Sequence, residues 1–395
     1  AVGMNALYSN NAADNTAVGH GAMNANTTGS ANVAIGKSAL VANTTGNQSV
    51  AVGYHALLDN TTGSANVAIG RQALANNTTG TQNVSVGFNL YTNTTGDFNT
   101  AVGFRSLYLN ATTDSNTAIG HEALYNNIAA GNTAVGKDAL NANTTGTENV
   151  AMGTDALKAN TTANRNTAVG YASLSANIAA ANIAVGYGAL NANTTGTRNL
   201  AIGYEAYDLS DTENDNIAIG YAAMTTNTAG GVENIAIGNY ALDALTSGDY
   251  NIAIGHNAQS AATTGNRSVA IGVNALEVSD AARNTAVGFE ALHLNTTGTN
   301  SVSVGGSALQ ANTTGDSNTA IGGYAMYENT TGTQNTALGR NALYSNTTGT
   351  RNLAIGFQAL DASDTENDNI AIGYNAMTIA NGGAEFNVAI GNYAG

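Results

Sequence analysis

One short pattern recurs along the whole chain: an Asn or Ser, a β-branched residue or Leu, then Ala or Ser, an aliphatic residue and Gly, as in the run Asn-Val-Ala-Ile-Gly at 66–70. The last three positions recur 24 times at intervals of 16, 17 or 18 residues, and the Gly never varies. Self-similarity at a short fixed period is typical of a solenoid. We therefore predict a single repeat array over residues 1–395.

The start of each repeat reads as a β-strand. In the repeat at 32–47, Val33 and Ile35 fall on one face of a strand and Ala34 on the other. An unvarying Gly at the strand end indicates a positive φ or a close backbone approach. The strand-end glycines of four well-formed repeats are Gly36, Gly53, Gly70 and Gly136.

The rest of each repeat has to return the chain to the next strand. Ala39 and Leu40 begin this returning segment, for which we predict a strand or an extended turn; their high helix propensity leaves a single helical turn open. The tetrapeptide Asn-Thr-Thr-Gly, which occurs eleven times, predicts a turn in which Gly supplies a positive φ. We expect the variation in repeat length to fall at this turn.

Energetics favour stacking of the repeats. Burial of Val33, Ile35 and Leu40 contributes about 1.5–3 kcal/mol each, whereas ordering one repeat costs about 1–2 kcal/mol per residue in backbone entropy. A single repeat is therefore unstable alone, and we predict an all-β, parallel β-solenoid of about 23–24 coils, each of 16–18 residues. At about 4.8 Å per coil, 24 coils would span roughly 115 Å.

Small residues on one strand face suggest that another sheet packs closely against it, so we predict a homotrimer; a wider monomeric solenoid is the alternative. The chain has no Cys, and its net charge of −15 argues against a nucleic-acid partner. No apolar run approaches the roughly 20 residues of a membrane helix, so we expect no membrane insertion in this segment. Because the sequence does not begin with Met, we expect a fragment or a processed chain.

Asn precedes the repeat's Ala by two residues in most coils, which predicts a ladder of side-chain hydrogen bonds between stacked coils. Six representative members of this structural ladder are Asn32, Asn66, Asn83, Asn132, Asn149 and Asn199. Asn-Thr-Thr is also a glycosylation sequon, but its role in the turn accounts for it without modification.

Two acidic turns interrupt the regular pattern. The run Ser-Asp-Thr-Glu-Asn-Asp-Asn occurs at 210–216 and again at 363–369, an offset of 153 residues that marks a super-repeat spanning 201–235 and 354–388. Oxygen ligands at alternate positions suit Ca²⁺, but the run lacks the Gly of an EF-hand loop, and a solvated acidic loop with Asx-turns is the simpler explanation. The candidate ligands are Asp211, Glu213, Asp215, Asp364, Glu366 and Asp368.

Aromatic residues often follow the strand-end Gly, and their stripe could serve cross-coil packing or stacking of sugar rings. The five His residues lie two or more coils apart and cannot together form a metal site within one chain. No nucleophile elbow or phosphate loop occurs, so we predict no enzyme and no cofactor.

The repeats resemble two kinds of fibrous protein. The runs Gln-Ser-Val-Ala-Val-Gly at 48–53 and Arg-Ser-Val-Ala-Ile-Gly at 267–272 are similar to the head repeats of trimeric autotransporter adhesins. The run Asn-Thr-Ala-Val-Gly at 132–136, with Asn-Thr-Thr-Gly at 143–146, is similar to phage-type tail-fibre arrays. The resemblance implies a left-handed β-roll, three chains wound together and an extracellular role at a cell surface or on a virion.

Three functional hypotheses follow. The first is a structural fibre segment of adhesin or tail-fibre type, self-associating as a homotrimer and able to continue end to end as a filament. The second is a repetitive surface that binds glycans or ice. The third, a polysaccharide lyase, is disfavoured because Asp, Arg and Lys do not cluster along the sequence.

Overall fold

The computed structural model describes residues 1–378 and 385–395, and within them every regular element is a three-residue β-strand and no helix occurs. Two compact units are present, Ala1–Thr197 and Arg198–Gly395. The strands of the first unit are β1 Thr16–Val18, β2 Val33–Ile35, β3 Val50–Val52, β4 Val67–Ile69, β5 Val84–Val86, β6 Thr100–Val102, β7 Thr117–Ile119, β8 Thr133–Val135, β9 Val150–Met152, β10 Thr167–Val169 and β11 Ile183–Val185.

The second unit is built in the same way. Its second super-repeat copy, 354–388, includes residues 379–384, which lie outside the described residues. The strands are β12 Leu200–Ile202, β13 Ile217–Ile219, β14 Ile235–Ile237, β15 Ile252–Ile254, β16 Val269–Ile271, β17 Thr285–Val287, β18 Val302–Val304, β19 Thr319–Ile321, β20 Thr336–Leu338, β21 Leu353–Ile355, β22 Ile370–Ile372 and β23 Val388–Ile390.

Within each unit, consecutive strands pair in parallel and in register. In the first unit Ala34 pairs with Ala51, and in the second Ala253 pairs with Ala270. Equivalent repeat residues therefore stack directly, which confirms the predicted all-β, parallel β-solenoid fold. The first repeat start forms only an isolated bridge, Val2 to Val18.

The strands turn their small residue inward. Ala34 is fully buried, whereas Ile35 is 41% exposed and Val33 is half-buried. The expectation that Val33 and Ile35 fill the chain's own core is therefore wrong. Asn side chains and Leu40 occupy the narrow interior, and the inward strand position holds only the small residues Ala and Ser. The prediction of a trimer was based on small residues on the outward face of the strands. That basis is wrong, because the outward face is aliphatic.

The returning segment is neither a strand nor a helix but a turn with alternating φ signs. Ser38 and Leu40 have φ of 55° and 52°, and Ala39 and Leu40 are both fully buried. In a strand these neighbours would face opposite sides. The left-handed residues allow both side chains to point inward, so the prediction of a strand here is wrong and that of a turn is correct.

The two repeat glycines are required for different reasons. Gly36 has a φ of 136°, and a Cβ there would lie 2.4 Å from the Gly53 carbonyl oxygen. Gly46 in the Asn-Thr-Thr-Gly turn has no positive φ, contrary to expectation; a Cβ there would lie 2.4 Å from the Gly63 oxygen. The positive φ belongs instead to Gln48, at 56°.

One coil of the first unit is shortened outside the turn, contrary to the expectation that length varies only there. After β5, Asn89 replaces the usual pair of residues before Leu90. The buried Asn89 amide nitrogen donates to the Val86, Ala101 and Gly103 carbonyl oxygens at 2.8, 3.1 and 2.9 Å. One side chain thus satisfies backbone acceptors around the missing residue.

Candidate functional site

The most extensive candidate surface is the outer strand face, which we define as the first and third residues of every strand. The third residue is always Val, Ile, Leu or Met, and the first is Thr, Val, Ile or Leu. Exposure of the third residue is 41% at Ile35, 41% at Ile69, 40% at Ile119 and 44% at Met152 in the first unit, and 37% at Ile271, 39% at Ile321 and 45% at Leu338 in the second.

The outer strand face forms a regular strip because the strands are in register, and the strip is apolar except where Thr is the first residue, as in β1, β6, β7, β8 and β10 of the first unit. Eleven strands about 4.8 Å apart make a strip of about 48 Å in the first unit, and a width of about 10 Å gives on the order of 500 Å². The largest apolar patch of a monomer is typically about 300–600 Å² and is often functional. No charged residue occurs at any of these strand positions.

The asparagines predicted as a ladder lie inside the coils and bond from one coil to the next. Asn32 Oδ1 accepts the Ser49 N–H at 2.9 Å, and its Nδ2 donates to the Gly46 carbonyl oxygen at 2.8 Å. We name this series the strand ladder. Its partners are mainly backbone groups rather than the amides of other ladder residues. Its predicted members Asn32, Asn66, Asn83, Asn132, Asn149 and Asn199 are all buried.

A second ladder, which the sequence reasoning missed, runs through the Asn of the Asn-Thr-Thr-Gly turns; we name it the turn ladder. Asn43 Nδ2 donates to Asn26 Oδ1 at 2.7 Å and to the Gly46 oxygen at 3.0 Å. The fixed spacing of these asparagines was the available signal. Because Asn43 is fully buried, the amide nitrogen that a glycan would use faces the interior of the coil.

In the acidic turns the carboxylate groups do not converge on one point, because they have different hydrogen-bond partners. Glu213 is buried, and its Oε2 accepts bonds from Ser210 Oγ and from the Asp211 and Thr212 N–H groups, each at 3.0 Å. Glu366 caps its turn in the same way, accepting from Ser363 Oγ at 3.0 Å. The side chain of each Glu therefore serves the turn's own backbone.

The last Asp of each acidic turn forms a two-pronged ion pair with an Arg of the preceding coil. Arg198 Nε and a terminal nitrogen donate to the two Asp215 oxygens, both at 2.6 Å. Arg351 does the same to Asp368 at 2.6 and 2.7 Å. Hydrogen bonding by these Arg side chains, with their charge, holds the pKa of Asp215 and of Asp368 below the usual range.

Among the described residues, one group of three His, Asp or Glu side chains has ligand atoms within 4.8 Å of one another: His121, Glu122 and Asp138. The predicted ligands of the acidic turns form no such group there. Asp138 already lies 3.8 Å from Lys137 Nζ and 3.7 Å from Lys158 Nζ. Glu122 lies 3.5 Å from Arg105. This surface group is a charge-balanced network.

The aromatic stripe consists of rings stacked along the coils. Tyr204 and Tyr221 stack with centroids 5.3 Å apart and planes 6° apart. A second column, not anticipated, stacks Tyr108 on Tyr91 at 5.6 Å and Tyr125 on Tyr108 at 5.5 Å. Neighbouring rings cover one another's faces, so within such columns the arrangement favours cross-coil packing over stacking of sugar rings.

No helix in the part of the chain that the structure describes is long and apolar enough to cross a membrane. Neither the family models nor the curated proteins compared with the sequence give a match. The structure establishes the fold as a β-solenoid of stacked repeats. The resemblance to adhesin heads and tail fibres stays a prediction.

Proposed function

We propose that this chain is a structural segment of an extracellular fibre, of the adhesin or tail-fibre type, and that it assembles as a homotrimer through the outer strand face. The observation that supports this most is the half-exposed aliphatic strip, which recurs on every strand. A strip of identical repeats suits identical partners, because each coil can meet its equivalent in another copy.

The internal construction supports a mechanical role. Two buried Asn ladders and the in-register strands join each coil to its neighbours. Stability in such arrays comes largely from interfaces between adjacent repeats. The proposed role needs neither catalysis nor a cofactor, and a location at a cell surface or on a virion is part of the proposal.

Light scattering on the intact chain tests the assembly. We expect a particle of three times the chain mass of 39.6 kDa. Charges on the strip, Ile35→Lys with Ile69→Lys and Ile119→Lys, should yield monomers because a buried unpaired charge is costly. Lysines on exposed turn residues, Thr28→Lys with Thr62→Lys and Thr95→Lys, should leave the trimer intact. A wild-type monomer at micromolar concentration would contradict the proposal.

An ice-binding surface is a second candidate, supported by regular threonines. The second Thr of successive turns is exposed at Thr28, Thr45, Thr62, Thr79 and Thr95. The first Thr of each turn is held in place, as in the 3.0 Å bond from Thr44 Oγ1 to the Thr61 oxygen. Thermal-hysteresis activity would support this alternative, and its loss in the triple turn-lysine variant would locate the surface.

A further inference from the structure

The residues that directly follow the strand-end glycines form a column along the solenoid, which we name the corner column. Most of its members carry side chains, but Gly306 and Gly323 occupy two successive coils between Phe289 and Arg340. A Cβ at Gly306 would meet no atom within 4 Å, and one at Gly323 would approach only the Gly306 oxygen, at 3.9 Å. The column therefore has an open gap two coils high.

The gap borders an aromatic ring. Phe289 is 55% exposed, slightly more than the stacked rings of Tyr171 and Tyr187, at 50% and 48%. The coils around the gap also carry a shallow cavity of about 280 Å³ lined by Tyr324, Arg340, Asn341 and Tyr344. Within the cavity, Tyr344 is stacked on Tyr327, with centroids 5.2 Å apart. Tyr324 meets Tyr327 at a tilt of 58° rather than in a stack, and it is 42% exposed, so part of its ring is accessible to a ligand.

Arg340 supplies an uncommitted positive charge at this cavity. It has no carboxylate within 4.0 Å among the described residues, whereas Arg198 and Arg351 of the same unit are each paired with an Asp. Glu328 is close enough to Tyr344 to help raise the pKa of that phenol, after the larger effect of burial. An anionic group would therefore approach from the Arg340 side of the cavity.

We propose that this cavity binds an acidic pyranose unit of a glycan. The carboxylate would form a two-pronged hydrogen bond with the Arg340 guanidinium, the sugar ring would pack on Tyr324, and Asn341 would offer its amide to ring hydroxyls. The biological setting rests on the proposed surface fibre, but binding by the isolated protein does not.

Calorimetric or NMR titration of the full chain with methyl β-glucuronide, and with the uncharged methyl β-glucoside as the matched ligand, tests the proposal. We expect saturable binding with about a tenfold preference for the glucuronide. Arg340→Gln should abolish that preference, Tyr324→Ser should weaken both sugars, and Gly323→Phe should block both by filling the gap. Arg283→Gln, at an exposed Arg elsewhere in the unit, is the control and should bind as the wild type does.

Equal binding by the wild type and Arg340→Gln would overturn the proposal, as would an equal loss in Arg283→Gln or no saturable binding of glucuronide. Thermal unfolding of each variant checks that it is folded. Mass measurement on the same samples separates the two proposals: a monomer that binds glucuronide refutes only the trimer, and a trimer that does not bind refutes only the cavity.

Discussion

At the scale of single residues, the sequence predicted which positions matter better than it predicted their conformations. The strand-ladder asparagines were identified from their spacing, and they are buried and bonded. The left-handed conformation of residues such as Leu40, with a φ of 52°, was not foreseen. Hydrophobic periodicity reports which side chains are buried, but it carries no information on the sign of φ. Only tertiary stacking imposes a conformation that Leu ordinarily avoids.

Two adjacent alanines test this backbone assignment. Ala222 has a φ of 48°, and Ala223 has no positive φ and is fully buried. Ala222→Gly relieves about 1–2 kcal/mol of left-handed strain but costs about 0.5–1 kcal/mol in entropy and about 0.8 kcal/mol for the buried methyl group, so stability should change little. Ala223→Gly has no strain to relieve and should lower it by about 1–2 kcal/mol. Urea unfolding measures both, and a gain at Ala223 with a loss at Ala222 would refute the φ assignment.

The strand ladder makes a graded prediction at Asn132, which accepts the Asn149 N–H at 3.0 Å. Asn132→Ala leaves that buried N–H unpaired and should cost about 1–3 kcal/mol of unfolding free energy. Asn132→Ser should cost less, because Ser49 accepts the Asn66 N–H in the same way at 3.2 Å. Equal unfolding midpoints for the two variants would show that the side-chain acceptor is unimportant.

At the scale of the coil, close contacts between the backbones of neighbouring coils define the structure as much as the hydrogen bonds between those coils do. Invariance of the strand-end Gly was predicted to reflect positive φ or close approach, and both hold at Gly136. The orientation of the strand could not be predicted, because alternation alone does not say which face of Val-Ala-Ile is inside. In the structure the buried Asn32 and Asn43 share the interior with the inward-facing Ala34.

Paired glycine substitutions separate strain from steric contact. Gly136 has a φ of 134°, and a Cβ there would lie 2.5 Å from the Gly153 oxygen; Gly131 has a φ of 74° with no atom within 4 Å. Both Gly→Ala changes introduce strain, but only Gly136→Ala also forces two coils apart. Hydrogen-exchange mass spectrometry should show faster exchange in the coils around Gly136 and little change around Gly131. Similar profiles for the two variants would argue against close coil contact.

From the geometry of the acidic turns we predict that a Glu side chain, and not a bound ion, stabilises each turn. Glu213→Gln replaces an acceptor oxygen by an NH₂ group that faces the hydrogen-bond donors of the turn. The substitution should therefore lower the unfolding free energy by about 1–3 kcal/mol. The exposed Glu233 provides the control Glu233→Gln, which should have little effect. Melting curves with and without millimolar Ca²⁺ should coincide for the wild type. A large Ca²⁺-dependent rise in Tm, lost in Glu213→Gln, would instead establish the ion site.

At the scale of the whole molecule, the repeat period sufficed to predict the β-solenoid, because unstable single coils must stack. The same period did not determine the assembly. Alternation alone makes the Ala face and the aliphatic face equivalent, so the sequence does not show which of them faces outward. With Ile35 and its equivalents outside, the proposed assembly requires the outer strand face to meet its equivalents in other copies.

Disulfide trapping tests that claim most directly, because the chain contains no Cys and a single introduced thiol can cross-link only to another chain. Ile119→Cys lies on the outer strand face and Thr62→Cys on an exposed turn. A disulfide joins two thiols and each trimer would hold three, so under mild oxidation denaturing electrophoresis should show up to about two-thirds of the Ile119→Cys chains as covalent dimers and none of the Thr62→Cys chains. Absence of pairing at Ile119, or pairing at Thr62 alone, would contradict assembly through the strand face.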